Sequence, residues 1–136
     1  MEAYKTKVKK IAGSDYHEVI SDALKLYRNL KKKTKRKPYI RSTYFKNEKV
    51  FLDYFWGHLN QKAWKDRTRR LKFYPCALEL IKNSHIQPVK KINPNKSNEY
   101  VYRFKGQTTD GSVFNVQIKE NTRSKQKYFM SVYPVN

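Results

Sequence analysis

Ser112-Val113-Phe114-Asn115-Val116-Gln117-Ile118-Lys119 decides how the C-terminal part of this chain folds. From Phe114 onward apolar and polar side chains alternate, and a period of two is the signature of a half-buried strand. Phe114, Val116 and Ile118 share one face, and Asn115, Gln117 and Lys119 share the other. Two neighbouring stretches, Tyr100 to Lys105 and Lys127 to Tyr133, are equally rich in β-branched and aromatic residues. Thr109-Asp110-Gly111 is a hairpin signal between the first two, and Asn121 to Lys125 connects the second to the third. The expectation is an antiparallel β-meander. Tyr100, Tyr102 and Phe104, together with Tyr128, Met130 and Val132, are expected to face inward with the Phe114 row. The outer face then gathers Arg103, Lys105, Gln117, Lys119, Ser131 and Tyr133, with Phe129 beside them. An ordinary solvent-facing sheet surface is the plainer alternative.

Upstream the period changes to that of a helix. Tyr16, Val19, Ile20, Ala23, Leu24, Tyr27 and Leu30 fall on one helical face, with Asp15 and Glu18 as a capping box or Ser14 as the cap. This predicts a helix over about 15–30. Lys31, Lys32, Lys33, Lys35, Arg36 and Lys37 then place six positive charges in seven residues before Pro38, a basic arm or linker. A second helix is expected from a cap at Asn47, with Val50, Phe51, Tyr54, Phe55 and Leu59 inside and an interruption near Gly57. Gln61 to Asn83 is helical in period, with Pro75 opening a separate helix. Ser84 to Asn98, with Pro88 and Pro94, reads as a loop containing one short strand around Ile86 to Ile92. The fold class is α+β: N-terminal helices followed by a C-terminal antiparallel meander of three to four strands. Two regions are expected, 1–45 as helix plus basic arm and 46–136 as helical segment plus sheet.

Charge bounds the function. Lys and Arg number 31 against 11 acids, a formal +20 on 136 residues. A field of that size opposes compaction, and a polyanionic partner is its simplest explanation. The 11 Tyr, 7 Phe and 2 Trp add flat faces on which unpaired bases stack. A nucleic acid, RNA favoured, is the expected partner; a Lys-rich solvated surface is the alternative. No run approaches a membrane span, and Met1 to Lys10 is charged with no apolar stretch after it. A cytoplasmic location is expected. Cys76 stands alone and His17, His58 and His85 are dispersed, so neither disulfides, a metal site nor a cofactor is expected.

The order of segments from His58 to Pro134 carries a resemblance. It runs His58-Leu59-Asn60-Gln61-Lys62, Asp66-Arg67-Thr68-Arg69-Arg70-Leu71-Lys72, Ala77-Leu78-Glu79-Leu80-Ile81, Arg103-Phe104-Lys105-Gly106, Val116-Gln117-Ile118-Lys119 and Ser131-Val132-Tyr133-Pro134. This resembles small phage and mobile-element proteins of the superfamily that joins barnase, EndoU, the colicin tRNases and the RelE toxins. The resemblance implies one or two helices before a twisted antiparallel sheet, and metal-independent RNA cleavage on the open sheet face by attack of a ribose 2′-hydroxyl. It further implies an acidic inhibitor or antitoxin protein as a partner.

Such chemistry needs a base, an acid and cations on the nonbridging oxygens. His58 is the expected acid–base group, with His85 as its competitor, because imidazole changes charge near neutrality. Lys62 is expected one helical turn on, and Lys119 and Ser131 complete the catalytic set. Arg67 and Arg70, three apart, are expected to clamp phosphate, supported by Arg103, Lys105, Gln117, Tyr133 and the 31–37 arm. No glutamate is expected on this face, so cations must carry most of the stabilisation. A non-catalytic RNA- or DNA-binding module is the alternative, and insertion into a ribonucleoprotein or binding to an acidic protein is a third reading.

Overall fold

The computed structural model describes residues 2–93, 95–96 and 98–135; Pro94, in the expected connecting loop, lies outside them. The elements are β1 (Tyr4–Lys5), α1 (Tyr16–Lys33), β2 (Tyr39–Ser42), β3 (Glu48–Phe51), α2 (Asp53–Leu59), α3 (Trp64–Leu71), α4 (Tyr74–Asn83), β4 (Val89–Ile92), β5 (Glu99–Gln107), β6 (Val113–Asn121) and β7 (Lys127–Val135). The protein is α+β, and its described residues form a mixed seven-stranded sheet in the order β1-β5-β6-β7-β3-β2, with β4 also paired to β5.

The C-terminal meander forms as the alternation predicts. β5 pairs antiparallel with β6 and β6 with β7, and Gly111 takes a positive φ of 87° in the first turn. The order of helices first and sheet last is corrected. β1 lies parallel to β5, and β3 lies parallel to β7 at Val50 and Phe51. Residues 48–51, expected to begin a helix capped by Asn47, form a strand. Lys46 and Asn47 both adopt left-handed backbone, φ 56° and 66°, which reverses the chain so that β3 returns along β2. Asparagine tolerates that conformation better than most residues, and Val50 and Phe51 suit the pleated surface that follows. α2 starts only at Asp53 and runs through Gly57 without interruption.

α1 outlasts its expected end by three residues, so Lys31, Lys32 and Lys33 form its last turn, where cations suit the carbonyl end of the helix. Asp15 is the N-cap, but its side chain makes no capping hydrogen bond. The boundary expected at 45/46 falls in the β2–β3 turn, and Ile11, Val19, Ala23, Ile40 and Phe45 share one buried cluster with residues of the meander. α4, with Pro75 in its first turn, supplies Tyr74, Cys76, Ala77, Leu80 and Ile81 to that cluster.

One strand contradicts the parity reading. Gln117 pairs with Ser131 but Ile118 pairs with Phe129, so Met130 has no partner and β7 carries a bulge. The extra residue changes phase. Phe129 and Val132 both face the core, fully buried, while Tyr128 turns outward opposite Lys119. Tyr128 and Met130 are therefore not core residues, and Phe129 is. Phe129 lies flat against Phe55 of α2, ring centroids 4.6 Å apart and planes 4° from parallel.

At the end of this core-facing side Glu120 is buried, where Tyr102 donates to it at 2.6 Å and Lys127 approaches at 3.4 Å. Lys127 also pairs with Glu48 at 2.6 Å, joining β7 to β3. Burial first, then the bond to Glu120, pushes the Tyr102 hydroxyl well above its ordinary range.

Gly106 of β5 sits tightly under the Phe114 ring and Leu80 of α4. A Cβ there would lie 2.3 Å from the Phe114 ring and 2.9 Å from Leu80. Gly106→Ala is expected to destabilise the fold by about 1–3 kcal/mol, because both neighbours are buried and have little room to move. A lower urea midpoint with an unchanged denaturant slope checks this, with Gly57→Ala, which meets nothing within 4 Å, as the control.

Candidate nucleic-acid interface

Cross-strand register fixes which side chains share the open face. Arg103, Gln117 and Ser131 stand directly opposite one another across β5, β6 and β7. One step along are Val101, Lys119 and Tyr128, and one step back are Lys105, Asn115 and Tyr133. β4 extends the face with Val89 opposite Arg103 and Lys91 opposite Val101. Arg103, Gln117, Lys119 and Ser131 share this face by register, but Ser131 is 2% exposed, so the expectation of all four on an exposed surface is corrected for that residue.

Two lobes divide this face. On the β4–β5 side a cleft is lined by Lys91, Val101, Arg103, Gln117 and the bulge residue Met130. Arg103, Lys105 and Lys91 make no ion pair with any described residue. On the β7 side α2 and α3 run beside the strand. α2 sends Phe55 and Leu59 into the core, while Tyr54 and His58, one turn apart, stack at 6.3 Å on the open-face side. Arg70 of α3 lies 5.4 Å from the centre of the Tyr133 ring. Tyr133 in turn accepts a hydrogen bond from Asn115 at 3.3 Å.

His58 is the electrostatic centre of the second lobe. Partial burial lowers its pKa from the ordinary 6.5, and the charges of Lys62, Arg70 and Lys119 lower it further. The imidazole is consequently neutral near pH 7, with a lone pair available and three cations around it. His85, its competitor, is exposed in the loop after α4. Lys62 reaches this cluster by a route that differs from the expected one. α2 ends at Leu59, so Lys62 does not continue the helix face; it sits in the following turn, its N–H bonded to the Leu59 carbonyl at 2.9 Å.

That turn is held by Arg67. Its guanidinium donates to the carbonyls of Lys62 at 2.7 Å and Asn60 at 2.6 Å, so it is a positioning residue and not the expected partner of Arg70 in a phosphate clamp. Arg70 is held by Asp66 at 2.9 Å. Burial raises the Asp66 pKa, but the hydrogen bonds from Arg69 and Arg70 outweigh it and leave the carboxyl below its usual value.

Lys119 is largely enclosed, its side chain 12% exposed. Its ammonium lies 3.7 Å from the centre of the Tyr54 ring and 3.3 Å from Glu99 Oε2. Glu99 overturns the expectation of an acid-free face. It opens β5 two residues before Val101, with the same parity as Arg103, and its other oxygen accepts from Asn93 at 3.1 Å. Ser131 is almost fully buried and donates to Gln117 Oε1 at 2.7 Å. That bond directs the Gln117 carbonyl toward β7 and leaves its amide N–H groups for a ligand.

Tyr54, Tyr128, Glu99 and Lys91 were missed in the sequence. Tyr54 was expected on the inner side of its helix, but it is 40% exposed and turns to the open face with His58, four residues on. Glu99 has the parity of Arg103 but lies one residue before the Tyr100–Lys105 stretch. Lys31, Lys32, Lys33, Lys35, Arg36 and Lys37 are all exposed at and beyond the end of α1. Among the described residues no group of three or more His, Cys, Asp or Glu gathers as a metal site, and no helix is long and apolar enough to cross a membrane. No protein-family model, curated protein or solved structure matches this chain.

The folded state binds the His58 proton less tightly than the unfolded chain does. Its contribution to stability is complete above 6.5 and is lost as pH falls below that value. An NMR titration is expected to show His58 with an apparent pKa below the ordinary 6.5, and Arg70→Gln is expected to raise it. An unchanged His58 value in that variant would place Arg70 away from the imidazole.

Proposed function

We propose that the open sheet face binds RNA and that the His58 lobe cleaves it without a metal cofactor. The observation carrying this reading is the His58 imidazole stacked at 6.3 Å on Tyr54, whose ring lies 3.7 Å from the Lys119 ammonium on the basic sheet face. Burial and the charges of Lys62, Arg70 and Lys119 favour its neutral form. The phosphodiester charge is taken up by Arg70 and Lys119, which lie where charge accumulates on the nonbridging oxygens. His58 takes the proton of the 2′-hydroxyl as its oxygen attacks phosphorus. The bond to the 5′-oxygen breaks, Lys62 supplies the proton to that leaving oxygen, and a 2′,3′-cyclic phosphate and a 5′-hydroxyl result. Both groups then return to their starting protonation by exchange with water. Gln117 and Arg103 hold the strand across β6 and β5, and Ser131 orients Gln117.

This mechanism accords with the resemblance to the barnase–EndoU–colicin–RelE group, which the order of segments from His58 to Pro134 carries. In a cell such an activity calls for an acidic inhibitor that covers the same basic face. One observation favours the non-catalytic binding module instead: Lys119 is already neutralised by Glu99 and flanked by two tyrosines, an arrangement suited to holding a strand.

Incubation of the purified chain with end-labelled RNA in EDTA separates the two. Cyclic-phosphate ends are expected, with His58→Ala lowering the rate by roughly 10²–10⁴-fold while RNA binding persists. Intact RNA, bound with an affinity that falls steeply with salt, identifies the binding module and refutes cleavage.

A further inference from the structure

α3 has a second charged flank that the His58 lobe does not use. Lys65, Arg69 and Lys72 line three adjoining depressions beside it, which together make a groove. The groove begins at Trp64, follows the Lys72 side chain, and ends at Lys9, Lys10 and the β5–β6 turn. Lys72 lines it throughout, Arg69 its first part and Lys10 its last. Asp15 and Asp110 border this run of five cations. Lys10 is paired to Asp110 and Arg69 to Asp66, each at 3.0 Å, while Lys9, Lys65 and Lys72 make no ion pair with any described residue.

At the head of the groove Trp64 is 59% exposed, among the largest apolar exposures of the described residues. Its ring is nevertheless held. Tyr16 meets it edge-on at 4.5 Å, and the Arg67 guanidinium sits 5.1 Å from its centre. An exposed indole fixed in orientation, at the start of a line of cations, matches a strand that offers a base to stack and phosphates at regular intervals.

We propose that this groove is a second binding track, for single-stranded nucleic acid. Trp64 is its base-stacking platform, and Lys65, Arg69, Lys72 and Lys10 are its phosphate contacts. The track rests on the reading that the partner is a nucleic acid, but not on cleavage. It lies across α3 from His58, so a strand leaving the cleavage lobe over this short helix would enter it.

The chain has two tryptophans, and Trp56 Nε1 is buried without a hydrogen-bond partner, so Trp56→Phe removes an unsatisfied donor and leaves Trp64 as the only reporter. This variant would be titrated with uncleavable oligonucleotides of about ten residues, oligo-dT and 2′-O-methyl oligo-U, following anisotropy and indole emission together. Quenching that saturates with binding is expected in either arm, and the stronger arm identifies the preferred sugar. In the wild-type background Trp64→Ala is expected to weaken binding by roughly 5–100-fold, with Trp64→Phe restoring most of the loss. Replacing Lys65, Arg69 and Lys72 by Ala is expected to reduce the salt slope by about 2. Binding with no quenching and no effect of Trp64→Ala, while Lys91→Ala and Arg103→Ala weaken it, overturns the track and leaves the open-face reading standing. Failure to bind either oligonucleotide overturns both.

Discussion

The unpaired Met130 in β7 is the constraint on which the rest depends. Without it β7 would keep strict alternation, and Phe129 and Val132 could not both face the core. Burying a side chain of either kind contributes roughly 1.5–3 kcal/mol, so the strand gains more from the bulge than it loses from one interrupted pairing. The change of phase also brings Ser131 opposite Gln117 and Tyr128 opposite Lys119, on the side away from the core. Packing on one face of the strand thus decides which polar groups meet on the other.

Charge is distributed unevenly over the fold. Where a lysine is enclosed it is paired: Lys119 with Glu99, and Lys127 with Glu48 and Glu120. An uncompensated cation in such places would cost several kcal/mol of lost hydration. The acids at these positions come from β3, β5 and β6, so the enclosed pairs also join neighbouring strands. Most of the remaining cations stay at the surface, where water screens them and their mutual repulsion is bearable. The surplus is therefore available to a polyanion without unfavourable burial.

The meander was legible because its signal is local. Phe114, Val116 and Ile118 announce their face by alternation, and the β5–β6 turn announces itself by Gly111. The split of Gln61 to Asn83 at Pro75 was equally local, since proline suits only the first turn of a helix. What escaped was the N-terminal half of the sheet. Tyr4–Lys5 and Glu48–Phe51 are too short to show a period, and both are held by strands roughly 80–100 residues further along the chain, a distance at which no window of sequence can see a partner. Apolar residues at 50, 51, 54 and 55 fit a helical spacing, and only the pairing of Val50 and Phe51 with β2 and β7 divides them into strand and helix.

For the candidate site, composition determined the chemistry and tertiary structure determined the company each residue keeps. The excess of Lys and Arg, the tyrosines and the alternation of β6 are properties of the chain itself, because charge and period survive whatever the partners are. That Tyr54 meets Lys119, that Arg67 braces a turn where Arg70 faces Tyr133, and that Glu99 stands beside Lys119 depend on α2 and α3 lying along β7. Those contacts follow from the stacking of Phe55 on Phe129 and from the bulge that turns Phe129 inward, and neither is encoded in any single stretch of sequence.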